Sequence, residues 1–421
     1  MSFTKSPVKG MCDMLPADMR LRERLLTMIK RSYGAHGFLQ IETPAMEHIG
    51  NLTSRQGGDN EKLIFKVLKR GAELARALES GSGELADNGL RYDLTVPLAR
   101  YYANNRELLP SPFKALQIGS VWRAENPQKG RFRQFTQCDI DILGDASNLA
   151  EIELVAATSG MLASIFAGIP AIHGFTVHIN DRRILRAVAL QAGFREEDIG
   201  PVLVSLDKLD KIGLDGVRDE MLRGGLAPEA VERYLAVYRD AATGASCAPF
   251  CAPVPAELLP ADVAANLDDI LASVRPMLPE GVSLVFDPAL VRGMGYYTGP
   301  IFEVTLDGYG FAVAGGGRYD KMIGKFSGQD VPAAGFSIGF ERIVTILKDH
   351  ASGPEKIAGE TVAFLIAPDV PQARRMEVLR EARDLRATGA TVVIQPMQKN
   401  IRRQIELLEA EGYARFEKIR A

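Results

Sequence analysis

The amino-acid sequence predicts an α+β protein built on an antiparallel sheet with flanking helices. One observation is a pair of strand-like stretches, at residues 115–121 and 131–142, which are joined by a polar loop. A second is helical periodicity with many charges from residue 181 to 279, which predicts a helical insertion in that core. A third is the strand–helix–strand–helix pattern after residue 360, which predicts a small α/β C-terminal domain.

Composition bounds the class of protein. The chain has 421 residues, of which 46% are hydrophobic and 24% charged, so it can bury a large core in two or three domains. Its net charge is −3 and its pI about 6.1, so any nucleic-acid contact must be local. Four cysteines are too few for a disulfide scaffold, and Cys247 and Cys251 lack zinc-site spacing. With no signal peptide and no apolar run long enough to cross a bilayer, we expect a cytoplasmic protein.

The N-terminal region predicts a helix followed by a strand. Apolar residues such as Leu21, Leu25 and Ile29 recur at helical spacing between residues 17 and 36. Gly37 then ends the helix. Residues 38–44 follow as a strand that proline terminates.

The remaining elements follow from apolar runs and from glycine and proline breaks. Up to the insertion we predict a strand at 62–68, a loop with a short helix at 71–88, a strand at 90–95, helices at 96–104 and 147–165, and a strand at 175–179. After the insertion we predict strands at 284–287, 301–306 and 312–314, a strand running into a helix at 335–346, strands at 361–367 and 391–395, and helices at 372–388 and 399–411.

The return strand of the hairpin carries a polar face. Side chains alternate in a strand, so Phe135, Gln137, Asp139 and Asp141 share one side of it. An amide and two carboxylates beside an aromatic ring are not ordinary core residues, because buried polar groups need partners. This face therefore predicts a ligand site.

The same hairpin contains four cations: Arg123, Lys129, Arg131 and Arg133. They suggest a polyanionic ligand, either a nucleoside triphosphate or the end of a tRNA. A solvated hairpin with surface charge is the alternative.

Asp93 and Thr95 alternate onto one face of the strand predicted at 90–95, where a carboxylate and a hydroxyl could meet a ligand amine. Asp93 could instead cap the helix that follows. Position alone leaves both interpretations open.

The hairpin, at residues 121–144, resembles motif 2 of the class II aminoacyl-tRNA synthetases, specifically that of histidyl-tRNA synthetases. Four further segments carry the resemblance: LRYDLT at 90–95, LVRGMGYYTG at 290–299, AGGGRYD at 314–320 and GFSIGFER at 335–342. The helix, strand and proline at 17–44 resemble motif 1, the dimer-forming element of that class.

The resemblance implies a domain organisation and an activity. Residues 1–350 would form a class II catalytic domain with a helical insertion at about 181–280, and residues 360–421 a shortened anticodon-binding-like domain. Residues 361–421 hold eleven Lys and Arg and eight Asp and Glu, a net charge of +3. The implied function is activation of histidine by ATP with Mg²⁺, and transfer of the histidyl group to tRNA(His), by a homodimer.

The resemblance also implies residue roles, set by which substrate each residue would contact. The catalytic and ATP-binding residues would be Arg123, Arg292, Glu125, Phe135 and Arg342. The histidine-binding residues would be Asp93, Thr95, Gln137, Asp141, Tyr296 and Tyr297. The tRNA-binding residues would be Lys129, Arg131 and Arg133.

The sequence departs from the family pattern at two positions. Gly295 stands where an aspartate is usual, which bears on amino-acid specificity, and Lys321 stands where a glycine is usual. Two alternatives follow from these and from the short C-terminal domain. One is a non-catalytic, histidine-sensing regulatory subunit of ATP phosphoribosyltransferase. The other activates an amino acid for an acceptor other than tRNA.

Overall fold

The computed structural model describes residues 3–53, 63–81, 83–127, 132–292, 295–351, 353 and 356–421. The chain divides into two compact units, described separately below. The first comprises Met1–Cys12 and Ile29–Thr345, and the second Asp13–Met28 and Ile346–Ala421.

The secondary structure contains strands in both units. In chain order they are β1 Leu39–Ile41, β2 Met46–His48, β3 Lys66–Leu68, β4 Ala86–Leu90, β5 Phe113–Trp122, β6 Gln134–Leu143, β7 Phe175–Asp181, β8 Val282–Phe286, β9 Pro300–Leu306, β10 Ala312–Arg318, β11 Ala333–Ile338, β12 Thr361–Ile366, β13 Thr391–Pro396 and β14 Arg415–Ile419.

Helices surround the strands. They are α1 Pro16–Ala35, α2 Ile49–Leu52, α3 Gly71–Ser80, α4 Thr95–Asn105, α5 Leu149–Phe166, α6 Arg182–Gln191, α7 Ile199–Leu206, α8 Leu209–Arg223, α9 Pro228–Arg239, α10 Ala248–Cys251, α11 Ala261–Val274, α12 Gly324–Ser327, α13 Phe340–His350, α14 Gln372–Ala387 and α15 Ile401–Glu411.

The first unit is organised around an eight-stranded sheet with the order β1-β5-β6-β11-β10-β9-β7-β8. Its six inner strands are antiparallel, and the edge strands β1 and β8 run parallel to their neighbours. The predicted α+β class is confirmed, with a sheet that is mixed at its edges. A second, antiparallel sheet has the order β2-β4-β3.

The predicted hairpin is confirmed. Strands β5 and β6 pair without a register shift from Phe113↔Leu143 to Trp122↔Gln134. An unbroken ladder preserves the alternation of side chains. The polar residues of β6 therefore share one face, as the sequence predicts.

The strand predicted at 90–95 is wrong. Strand β4 ends at Leu90 and helix α4 begins at Thr95. The Asp93 carboxylate explains the change, because its Oδ1 accepts a hydrogen bond from the Val96 backbone N–H at 3.1 Å. That contact satisfies an otherwise unpaired donor of the first helical turn. Within the loop with a short helix predicted at 71–88, α3 confirms the helix, whereas the start of β4 was not predicted.

Helix α5 packs as a core helix of the first unit. Its 18 residues have a mean hydropathy of 1.5, which is long and apolar enough for a membrane span, so the expectation that no such run exists was wrong. In this structure 61% of the helix is buried, including Leu154, Val155 and Leu162 at 0% exposure. Burial against the sheet accounts for its apolar composition.

Six helices, α6 to α11, lie between β7 and β8, where the sequence predicts a helical insertion. The insertion starts from a capped helix, since the Arg183 N–H donates to Asp181 Oδ1 at 2.8 Å. It also joins the edge of the sheet, because Gly244 and Phe286 exchange backbone hydrogen bonds of 2.9 and 2.7 Å.

The second unit contains a three-stranded parallel sheet with the order β13-β12-β14. Its β12, α14, β13 and α15 match the predicted pattern, and its core includes the fully buried Val362, Phe364 and Val378. Strand β14 was not predicted, because its sequence RFEKI is largely polar and only its position beside β12 makes it a strand.

Candidate active site

A row of polar residues crosses one face of the central sheet. Gln117 of β5 lies opposite Asp139 of β6, which lies opposite Ser337 of β11. The row continues through Gly315 of β10 to Glu303 of β9. Directly opposed residues of antiparallel strands project to the same side. The sheet therefore supplies a polar floor that no single stretch of sequence contains.

Gln137, Asp139 and Ser337 form a hydrogen-bonded group on this floor. The Ser337 hydroxyl donates to Asp139 Oδ1 at 2.5 Å. Gln137 Nε2 donates to Ser337 Oγ at 3.0 Å and to Asp139 Oδ2 at 3.2 Å. Burial, followed by the nearby Asp141 charge, raises the pKa of Asp139 well above its ordinary value. The Asp139 carboxylate is therefore held by two uncharged donors, the Ser337 hydroxyl and the Gln137 amide.

Asp141 lies next along the same face. The Tyr319 hydroxyl donates to Asp141 Oδ1 at 2.5 Å. Gly335 lies opposite Asp141, and a Cβ at Gly335 would collide with that carboxylate. Burial raises the pKa of Asp141 to about 7, with the Tyr319 hydrogen bond opposing the shift and Asp93 adding to it.

Asp93 presents a second carboxylate oxygen to the pocket. Its Oδ1 caps α4, while Oδ2 is buried without a hydrogen-bond partner among the described residues. The residue is 1% exposed, and this burial raises its pKa. Capping and ligand binding are thus compatible, because they use different oxygens of the same group.

Arg123 follows β5 at the start of the loop. Its Nε donates to the Tyr92 carbonyl at 2.9 Å, and its Cζ lies 5.1 Å from the centre of the Phe135 ring. Burial dominates the raised pKa values of Asp93 and Asp139, and the Arg123 charge opposes both shifts. The predicted arginine, aromatic ring and carboxylates therefore lie together.

Arg292 lies over the floor farther along the row. It forms an ion pair with Glu303. A Cβ on Gly315 would lie 2.5 Å from Arg292 Nη2, so this glycine leaves the room that the guanidinium occupies. The glycine run therefore leaves space for the Arg292 side chain and also lets the neighbouring backbone pack closely.

Tyr296 and Tyr297 lie in a turn before β9, with ring centres 4.7 Å apart. The Tyr297 and Thr95 side chains both act on the pKa of the Tyr296 hydroxyl, so Tyr296 lies near the start of α4. Burial raises the pKa of both tyrosines, which keeps the hydroxyls neutral and able to donate or accept. In a strand, the side chains of two consecutive residues would point to opposite faces. The turn instead brings the two tyrosine rings together.

The remaining nucleotide-site candidates are near the ends of the same strands. Arg342 Cζ lies 5.3 Å from the Phe311 ring centre, and its Nη1 donates to the Ala312 carbonyl. The neighbouring Glu341 accepts a hydrogen bond from the Thr136 backbone N–H at 3.1 Å, which ties α13 to the start of β6.

The loop between β5 and β6 is described only in part. The Arg133 N–H donates to the Gly10 carbonyl at 2.7 Å, and Arg133 Nε donates to the Glu125 carbonyl at 2.9 Å. The other two candidate tRNA contacts, Lys129 and Arg131, lie outside the described residues.

Several residues of the site were not proposed from the sequence. They are Ser337, Tyr319, Glu303 and Phe311. Ser337 and Tyr319 lie inside matching motifs, so alternation along those motifs could have identified them. Glu303 and Phe311 carry no such signal, because their roles come from contacts with Arg292 and Arg342 that only the folded structure makes.

Two arginines of the matching motifs are structural. Arg91 is 5% exposed and donates to the carbonyls of Thr43 and Ser120 at 2.6 and 2.9 Å. Arg318 forms a two-point ion pair with Glu151 at 2.5 and 2.7 Å. Both arginines stabilise the segments around the pocket, and neither side chain is proposed to contact a substrate.

Known proteins resemble this chain over most of its length. A family model described as histidyl-tRNA synthetase matches residues 10–343. The histidine–tRNA ligase of Leifsonia xyli subsp. xyli is 45% identical over 419 residues, 98% of this chain and 94% of that protein.

Two crystal structures share the fold. Histidyl-tRNA synthetase from Nostoc sp. PCC 7120 has a TM-score of 0.75 and 26% identity, with 97% of this chain and 90% of that one covered. A protein from Bacillus halodurans, described as an ATP phosphoribosyltransferase regulatory subunit/histidyl-tRNA synthetase, has a TM-score of 0.77 over all of both chains, but its 21% identity supports the fold alone. From the family match and the Leifsonia relative, the chain belongs to the histidyl-tRNA synthetase family.

Proposed function

We propose that this protein activates histidine with ATP to form histidyl-adenylate and then transfers the histidyl group to tRNA(His). The observation that carries the proposal is the buried acidic floor, where Asp93 and Asp139 lie near Arg123 and Asp141 adjoins them. Carboxylates suit the ammonium of an amino acid, and an arginine suits phosphate. The two substrates of an adenylation reaction need this pairing of opposite charges at adjoining positions.

In the first step, the histidine carboxylate attacks the α-phosphorus of ATP and pyrophosphate leaves. No protein nucleophile is required, so catalysis consists of alignment and of stabilising negative charge as it builds on phosphorus. Arg123 and Arg292 are the proposed groups for that charge. In the second step, a tRNA ribose hydroxyl attacks the acyl carbon and AMP leaves.

The ion pair between Arg292 and Glu303 supports the proposed role of Arg292. Its guanidinium is paired with Glu303, so the cation is held over the floor before any nucleotide arrives. When the α-phosphate enters, the guanidinium can add a phosphate contact from the substrate side. A contact that strengthens in the transition state raises kcat more than it lowers KM.

The nucleotide would lie along the hairpin. We propose that Phe135 stacks on adenine, Glu125 meets the adenine end, and Arg342 reaches the distal phosphates. Arg123 already lies 5.1 Å from the Phe135 ring centre, so adenine would use the other ring face. Mg²⁺ would arrive with ATP, held largely by phosphate oxygens.

Histidine would be bound at both ends. The proposed contacts for its ammonium are Asp93, Thr95, Gln137 and Asp141. The proposed contacts for its ring are Tyr296 and Tyr297. A hydroxyl can donate to or accept from an imidazole nitrogen, which an apolar pocket cannot match.

The tRNA would meet the cationic loop. Lys129, Arg131 and Arg133 are proposed to contact its acceptor end, where phosphate contacts would make binding weaken with salt. We also propose a cytoplasmic homodimer that uses the region 17–47. Sedimentation as a monomer at micromolar concentration would contradict the dimer.

The decisive experiment is ATP–pyrophosphate exchange with each of the twenty amino acids, followed by charging of purified tRNA. Histidine alone should support exchange, and tRNA(His) alone should be charged. No exchange with any amino acid would refute the enzyme and favour a histidine-sensing regulatory subunit. Exchange without charging of any tRNA would point to another acceptor.

A further inference from the structure

The polar row on the floor of the sheet extends one strand beyond Glu303. His178 of β7 lies directly opposite Glu303 of β9, so both side chains project to the same face. Asn180 lies two residues farther along β7 and shares that face. The His178 side chain is 20% exposed, and Asn180 is fully buried. Buried polar groups need partners, so the partners of these two side chains indicate what this end of the floor holds.

The imidazole of His178 is held at both nitrogens. Its Nδ1 is hydrogen bonded to Asp287 Oδ2 at 2.9 Å, and its Nε2 to Thr305 Oγ1 at 2.9 Å. An ionised carboxylate only accepts, so Nδ1 supplies the proton of the first bond. The other Asp287 oxygen accepts from the Ala289 backbone N–H at 3.0 Å. His178 therefore links β9 to the turn that starts at Asp287, just after β8.

The carboxamide of Asn180 holds the same turn from the neighbouring position. Its Nδ2 donates to the carbonyls of Pro288 and Leu290 at 3.1 and 3.2 Å, and its Oδ1 accepts from the Asp181 backbone N–H at 2.8 Å. Turning the amide over would set its oxygen against two carbonyl oxygens, so its orientation is fixed. Two side chains of β7 therefore fasten the turn at residues 287–290.

This turn leads to Arg292, two residues beyond Leu290. The Arg292 guanidinium is paired with Glu303, so β9 holds the far end of the side chain while β7 holds the backbone that precedes it. Electrostatic stabilisation of a transition state requires charges that are in place before the reaction. A displacement of about 1 Å can lower a rate about a hundredfold. The position of this backbone therefore bears directly on the position of the cation.

We propose that His178 and Asn180 are positioning residues for Arg292. They fix the backbone of residues 287–290, so that the guanidinium lies where negative charge builds on the α-phosphorus. Neither side chain contacts a substrate in this role. The inference rests on the proposed function for the reaction that Arg292 serves. Its consequence is an effect on kcat rather than on substrate binding, because the contact that is supported strengthens in the transition state.

The test measures histidine-dependent pyrophosphate exchange by the full-length protein. His178→Leu removes both hydrogen bonds of the ring. We expect kcat to fall at least about tenfold, whereas the KM values for ATP and histidine change by less than about threefold. His178→Asn should recover most of kcat, because its amide can donate to Asp287 in place of Nδ1. Asn180→Leu removes both donors to the turn and should show the same selective loss as His178→Leu.

A double-mutant cycle tells whether His178 acts through Arg292. Arg292→Lys keeps the charge and loses the planar fork, so the placement of the backbone matters less in that background. Adding His178→Leu to Arg292→Lys should lower kcat further by less than about threefold. Equal losses in the two backgrounds would show that His178 acts independently of Arg292, and would overturn the proposal.

Two threonines at opposed positions of β9 and β7 provide a matched pair of variants. Thr305→Val removes the hydroxyl that contacts His178 Nε2 and should lower kcat about threefold, the effect of one hydrogen bond. Thr176 has no side-chain hydrogen bond within the described part of the chain, so Thr176→Val should leave kcat and both KM values unchanged.

Unchanged kcat in a folded His178→Leu protein would overturn the proposal. A loss of kcat that His178→Asn does not recover would assign the ring a packing role and overturn it as well. If His178→Leu does not fold, the threonine pair decides, and equal kcat values for Thr305→Val and Thr176→Val would count against the proposal. A wild-type protein that supports no histidine-dependent exchange would instead refute the proposed function.

Discussion

Replacing Asp141 with asparagine tests the electrostatics of the pocket without any substrate. Burial raises the Asp141 pKa from 3.8 to about 7. Each pKa unit corresponds to about 1.4 kcal/mol, so holding this carboxylate ionised above pH 7 destabilises the folded state by on the order of 4 kcal/mol. The asparagine side chain would keep an oxygen for the Tyr319 hydroxyl and remove the charge.

The sign of the effect follows from proton binding. The folded protein holds the Asp141 proton more tightly than the unfolded chain, so the contribution of Asp141 to stability is greatest below about pH 4 and falls as pH rises toward about 7. Asp141→Asn should therefore match the wild type near pH 4 and exceed its stability at pH 8. The free energy of unfolding, measured by urea denaturation at fixed protein concentration, gives both values.

A matched control separates this effect from general charge removal. Asp307 is exposed in the turn after β9, so Asp307→Asn should change stability little at either pH. The reasoning is refuted if Asp141→Asn destabilises the protein equally at both pH values. Such a result would mean that the shape of the carboxylate, rather than its charge, matters to the fold.

Four further predictions concern activity. Arg292→Ala should abolish pyrophosphate exchange mainly through kcat while ATP binding, followed by calorimetry, is retained; unchanged exchange would remove Arg292 from the mechanism. Gly315→Ala should reduce exchange at least about tenfold, because its Cβ would lie 2.5 Å from Arg292 Nη2, and a normal rate would show that the guanidinium need not lie there. Gly295→Asp should leave the melting temperature within about 2 °C of the wild type, since no atom of the described residues lies within 4 Å of a Cβ at that position. A large loss of stability would contradict this expectation. The same variant should alter amino-acid selectivity in the twenty-amino-acid exchange assay. Removing residues 360–421 should weaken tRNA binding and leave exchange measurable, and loss of exchange from a folded dimer would make the tail part of the active site.

Local patterns predicted the elements that carry their own signal. The β5–β6 hairpin follows from alternation around a polar loop, and α5 from a long apolar run bounded by polar residues. Strand β14 and the end of β4 were not predicted correctly. Both depend on what lies beside them, a neighbouring strand in one case and an aspartate cap in the other.

The sequence by itself determined which chemical groups are present and which of them share a strand face. Gln137, Asp139 and Asp141 face one way because of their spacing, whatever surrounds them. Only the tertiary structure decided which distant groups meet. Ser337 reaches Asp139 across about two hundred residues, and Glu303 meets Arg292 through a bend that spacing does not encode. The physical reason is that hydrogen bonds and burial act over a few ångströms in space, so the register between strands, rather than distance along the chain, sets the pKa values and the acceptors that a substrate would meet.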